Sequence, residues 1–129
     1  KQVALGAVVD GKTLKAALYL ASATTNGTNT AYTSTGEVSG ANYSAGGVSV
    51  TNANTAGLTS TTAYWTPSAS IAFTTVTLSM AFDAVMIYST TDTNRNLGVF
   101  TFGSQTITAG TFTLTMPTND SSTGLIRFA

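Results

Sequence analysis

Hydroxyl side chains alternating with apolar ones constrain this chain more than any other feature. Thr fills 27 positions and Ser 13. Only 8% of the residues are charged, against about 25% in a typical soluble domain. Thr is β-branched: it is stiff at χ1 and suits a pleated, half-solvated surface. An amphipathic helix would draw its polar face from Lys and Glu. A chain that draws polarity from Thr instead builds exposed sheet faces.

The alternation can be followed along the sequence. Leu14, Ala16, Leu18 and Leu20 alternate with Thr13, Lys15, Ala17 and Tyr19, the period of two expected of a half-buried strand. Residues 22–47 form a long polar connection with an Asn26-Gly27 turn signal, ending in Gly46-Gly47. A connection of that length is expected to be functional, to carry short strands, or to pack on a partner. Val48 and Val50 begin a brief strand, and Ala63 to Trp65 another that stops near Pro67. Ile71 to Phe73, the alternating Val76, Leu78 and Met80, and the apolar run Phe82 to Tyr88 follow in turn. Asp92 to Asn96 reads as a turn before a strand over Leu97 to Phe102. Residues 105–116 read as a hairpin about Ala109-Gly110, and Leu125 to Phe128 as a last strand. Residues 1–12 are ambiguous. Val3, Leu5, Val8 and Val9 fit a helical face, Gly6 and Gly11 weaken it, and an extended N-terminal arm or strand fits at least as well. Lys1 to Val9 is broken by Asp10 and Gly11 and makes a poor signal peptide.

Seven to nine short strands without a convincing helix predict an all-β fold: one antiparallel β-sandwich domain over 13–129, jelly-roll or immunoglobulin-like, preceded by the 1–12 arm. At 129 residues, such a chain can bury a real core.

Composition also excludes chemistry. His and Cys are absent, which removes the usual general base, the commonest metal ligand, thiolate chemistry and disulfides. Five basic and five acidic residues balance to zero. The clustered positive charge that nucleic acid or an anionic membrane demands is therefore missing. No apolar run is long enough to span a bilayer. Asp10, Glu37, Asp83, Asp92 and Asp120 lie far apart along the chain, and turn or strand-start positions explain them better than a glycosidase pair does. Asp92, Asn94 and Asn96 have the spacing that opens a calcium loop, but Leu97 stands where Gly is required and Gly103 where a bidentate Glu is required. No serine has a His partner, a G-x-S-x-G elbow or an S-x-x-K spacing. The glycosylation motifs at Asn26, Asn42 and Asn119 are no more than a Thr- and Ser-rich chain produces by chance. No enzyme, cofactor or metal is expected. Low net charge gives little colloidal repulsion, so the working form is expected to be assembled.

The order of several segments resembles a family of small structural proteins of tailed bacteriophages. These segments are Ala16-Ala17-Leu18-Tyr19-Leu20, Tyr32 to Gly40, Tyr43 to Gly47, Ala84 to Thr90, Val99 to Gly103, Gly110 to Pro117 and Gly124 to Phe128. The likeness covers roughly residues 13–129, except for 51–75. It implies a capsid decoration, or cement, protein in the virion. The major capsid protein and copies of itself, as a dimer or trimer, would be its partners, without nucleic acid or membrane. Loop and arm positions Val3, Leu5, Tyr32, Val38 and Tyr43 are the expected contact residues. The competing reading is a tail or fibre module binding host carbohydrate through exposed Tyr and Trp, Trp65 first.

Overall fold

Among the described residues, alternating apolar positions become seven strands, arranged in two antiparallel sheets. The structure, a computed structural model, describes residues 1–25 and 28–129; the Asn26-Gly27 turn and the Asn26 glycosylation motif lie outside the described residues. Helix α1 (Gln2–Val9) precedes β1 (Leu14–Leu20), β2 (Val48–Val50), β3 (Gly57–Thr59), β4 (Thr62–Trp65), β5 (Ile71–Ser89), β6 (Arg95–Leu114) and β7 (Ile126–Phe128). One sheet has the order β2-β1-β5-β6 and the other β3-β4-β7. The fold is all-β and sandwich-like, as the alternation predicts. The main core joins both sheets, Trp65 from β4 belonging to the same buried cluster as Leu14, Leu18, Phe73, Phe82 and Ile87.

Two strands are far longer than the sequence suggested. The three separate apolar runs between 71 and 89 form the single 19-residue β5. The expected 105–116 hairpin does not form: Ala109-Gly110 lies inside the 20-residue β6, with Gly110 paired to Val76. The physical reason is bulging. The register shifts between Phe73 and Val76, Val76 and Leu78, Leu78 and Phe82, and Phe82 and Ala84. Ala109 and Thr75 take up the irregularity at positive φ (46° and 51°). The Ala-Gly pair therefore bends a strand instead of ending one. The true turn lies at Asp92–Arg95, closed by the Arg95 N–H on the Asp92 carbonyl at 3.1 Å. Thr93 and Asn94, the central residues of that turn, both have positive φ (56° and 59°), as a type I′ turn requires, within the five-residue connection between Ser89 and Arg95.

The N-terminus decides the ambiguity over residues 1–12, because Gln2–Val9 is helical and not an extended arm or strand. An isolated helix of eight residues is marginal, and packing must hold it. Leu5 and Val9, one turn apart, are fully buried in the core. Polar contacts from one segment pin the rest. Asn52 Nδ2 donates to the Val9 and Lys12 carbonyls, while its Oδ1 accepts from Trp65 Nε1. Asp10 Oδ1 accepts from the Ala56 N–H.

Strand β1 is buried on both faces, although its pattern predicts one solvated face. Ala17, Tyr19, Ala84, Met86 and Tyr88 form a second cluster on the outer side of the large sheet, covered by Ala23 and Tyr32. Part of the polar 22–47 connection lies across this face and is what dries it.

Candidate functional site

The connection is held down by one carboxylate. Glu37 Oε1 accepts from the Tyr43 hydroxyl at 2.8 Å and the Gly46 N–H at 2.7 Å, and its Oε2 accepts from the Tyr32 hydroxyl at 2.6 Å. Tyr32 also stacks on Tyr88, with ring centroids 4.8 Å apart, and the Tyr88 hydroxyl donates to the Gly46 carbonyl. The Tyr19 hydroxyl donates to the Thr33 carbonyl at 2.6 Å. Burial and the nearby Glu37 charge push the Tyr19 phenol up to about 12. Burial raises Tyr32, Tyr43 and Tyr88 as well, with Glu37 adding to each. With their pKa values raised, these phenols stay neutral at ordinary pH and donate to Glu37, the Thr33 carbonyl and the Gly46 carbonyl. The cluster is a clamp.

The same segment closes one edge of the large sheet. β2 covers β1 at Leu14 to Ala16. Where β2 stops, the Val38 N–H donates to the Leu18 carbonyl, the Leu20 N–H to the Gly36 carbonyl, and the Leu18 N–H to the Tyr43 hydroxyl. Gly47 permits the approach: its φ is +74°, and a Cβ there would lie 1.7 Å from the Ala16 carbonyl oxygen.

The opposite edge is open. β6 pairs with β5 on one side. On the other, it meets the 29–32 segment at its very start, through an Ala31–Arg95 bridge, the Asn96 N–H on the Thr30 carbonyl and Asn96 Nδ2 on the Asn29 carbonyl. From Leu97 to Leu114, among the described residues, no strand lies beside it on that side. Natural sheets blunt such edges with Lys, Pro, an inward charge, a short strand or β-bulges, and of these β6 carries only bulges. β6 is 20 residues long, and no charged residue lies between Arg95 and Asp120. Its core-facing residues Phe100, Phe102, Ile107, Phe112 and Leu114 are only partly buried. Beneath them opens an apolar cleft of about 150 Å³, bounded by Ile71, Phe100, Phe102, Leu114, Met116 and Leu125. An apolar wall half covered under an unpaired edge is suited to receiving another polypeptide.

The expected contact residues fall elsewhere. Val3 is 87% exposed and is free to touch a partner. Leu5 (1%) and Val38 (4%) are core residues of this chain, because α1 and the β1-edge segment fold inward, and they cannot serve as contact surface. Tyr32 and Tyr43 spend their hydroxyls on Glu37 and their rings on Tyr88 and Phe73. Trp65 is fully enclosed, with its Nε1 on Asn52 Oδ1 and the Asn54 carbonyl, so it offers no face to a sugar. Asp92 does not open a calcium loop: its carboxylate takes the Lys12 ammonium at 3.0 Å and the Ser89 hydroxyl. The Lys12 hydrogen bond holds this carboxyl below the usual range. Among the described residues, no three His, Cys, Asp or Glu side chains gather where a metal could bind. The β6 edge went unseen because Ala109-Gly110 read as a turn; its signal is the uncharged alternation running unbroken through that pair. Comparison with protein-family models, curated proteins and solved structures finds no match to this chain.

Proposed function

We propose that this chain is a structural protein of a virus particle, a decoration or cement protein that binds the outer capsid lattice and stabilises it through protein–protein contacts. The observation that carries this reading is β6, a long, uncharged, unpaired edge above a half-covered apolar wall. An edge strand offers a row of main-chain donors and acceptors that a neighbouring strand completes, while the apolar residues beneath supply burial. The near-absence of charge suits a protein that works within a shell. Many copies, each with a modest interface, would hold adjacent subunits together by avidity. The lattice is taken from the resemblance of segment order to small phage structural proteins; the mode of contact is taken from β6. The partners are the major capsid protein and further copies of the chain.

The test compares particles carrying the chain with particles stripped of it. Stripped particles should open at a lower temperature, and adding the purified chain back should restore the original resistance. Unchanged heat resistance after stripping would refute the cement role.

A further inference from the structure

We infer that the β6 edge pairs antiparallel with β6 of a second copy, about a two-fold axis passing close to Ile107, so that the two four-stranded sheets become one. This deepens the assembly reading above and rests on it. A two-fold contact is self-complementary: when residue i of one copy faces residue j of the other, j also faces i. For an antiparallel strand pair, the sequence must then read acceptably against its own reverse.

β6 does so about Ile107. Phe100 falls opposite Leu114, Thr101 opposite Thr113, Phe102 opposite Phe112, and Ile107 opposite its own copy. The faces agree as well. Phe100, Phe102, Ile107, Phe112 and Leu114 all pack toward the core, whereas Thr101 and Thr113 are exposed. Directly opposed residues of an antiparallel pair share a face, and aromatic–apolar and Thr–Thr pairs are favourable cross-strand partners. The irregular stretches of β6, between Thr101 and Gln105 and between Ile107 and Gly110, lie on either side of the axis. The regular pairs Phe100 and Thr101 therefore meet the regular pairs Leu114 and Thr113, with Phe102 at the border of the bulge. The axis also brings both apolar clefts to the same side of the joined sheet, where each copy covers the other's half-exposed Phe100 and Leu114.

Charge fits the same occupant. The window 100–114 holds no charged residue, and Arg95 lies outside it, beside the part of the edge that 30–32 already covers. Two identical edges thus meet without like-charge repulsion, and no charge is present to demand a different partner.

The test uses the full chain. Wild type should sediment at twice the 13.1 kDa chain mass. Thr106→Lys with Thr108→Lys, both at exposed outer-face positions beside the axis, should weaken the dimer about 100-fold through like-charge opposition while leaving the monomer folded. Thr106→Glu with Thr108→Glu should do the same, and mixing the two variants should restore the dimer. The chain has no cysteine, so Thr101→Cys with Thr113→Cys gives a clean register test. The double variant should oxidise to a covalent dimer, and either single variant should not. A wild type that stays monomeric at high concentration, or a dimer that survives the lysine pair, would overturn the inference. If such a monomer still binds and stabilises particles, the cement reading stands and only the pairing fails. If the dimer forms as described but particles are indifferent to it, the pairing stands and the cement reading fails.

Discussion

Glu37→Ala should be among the most damaging single changes available at a half-exposed position. It removes the acceptor of the buried Gly46 N–H, at 2.7 Å, and the acceptor of two tyrosine hydroxyls. Leaving a buried donor unsatisfied costs about 1–3 kcal/mol, and a hydrogen bond to a charged group contributes about 1.5–3 kcal/mol. Tyr32 can turn its hydroxyl to water and recover most of its share. Tyr43, packed on Phe73 and accepting from the Leu18 N–H, recovers less. The net loss should be about 3–5 kcal/mol, a large fraction of the 5–15 kcal/mol typical of a domain. Glu37→Gln gives the sharper contrast. Oε1 alone serves Tyr43 and Gly46, so an amide oxygen there retains both contacts, and the amide nitrogen can donate to Tyr32 with its hydroxyl reversed. That variant should lose only about 1 kcal/mol. Urea unfolding followed by circular dichroism measures both, through the midpoint at unchanged slope. An alanine variant within about 1 kcal/mol of wild type, or a glutamine variant as unstable as the alanine one, would refute the clamp.

Three further outcomes follow from the same contacts. Gly47→Ala should fail to fold stably, because a Cβ would meet the Ala16 carbonyl oxygen at 1.7 Å on a backbone of φ +74°; recovery of normal soluble yield and a normal melting temperature would contradict it. Thr93→Asn should stabilise the chain by about 0.5–1 kcal/mol, since Asn tolerates the φ of +56° better than a β-branched residue does, and a rise in melting temperature reports it. Alkaline stability follows from the tyrosines. Their folded pKa values lie above the ordinary 10, so their contribution is complete below pH 10. It falls as pH rises toward and through about 12, where Tyr19 ionises. A phenolate absorbance titration should show Tyr19, Tyr32, Tyr43 and Tyr88 ionising late and together with unfolding; ionisation near pH 10 in the folded chain would contradict the burial account.

The sheet content was legible in the sequence because Thr alternation leaves few other structures open. β1, β2, β4 and the Asp92–Arg95 turn lie close to where the periodicity places them. Long-range contacts decided what was not legible. Leu5 and Val9 form a helix face only because the 52–56 segment docks on α1. Ala109-Gly110 carries a turn composition, yet β5 bulges opposite it and keeps the ladder going. Apolar loop positions such as Val38 and Tyr43 resemble free anchors until Glu37 and the β1 edge are seen to claim them. Local sequence marks neither the closed edge at β1 nor the open one at β6, because edge status belongs to the strand order.

The central claim, that β6 is the edge through which this chain assembles, is tested most directly by amide hydrogen exchange. The dilute free chain should be compared with the chain seated on particles. The outward-pointing backbone amides between Leu97 and Leu114, those not bonded to β5, should exchange quickly in the free chain diluted until it is monomeric and slow by at least about tenfold on the particle. Those of β1, already flanked by β2, β5 and the 36–43 segment, should not change. Protection confined to other elements, with β6 exchanging equally fast in both states, would contradict it.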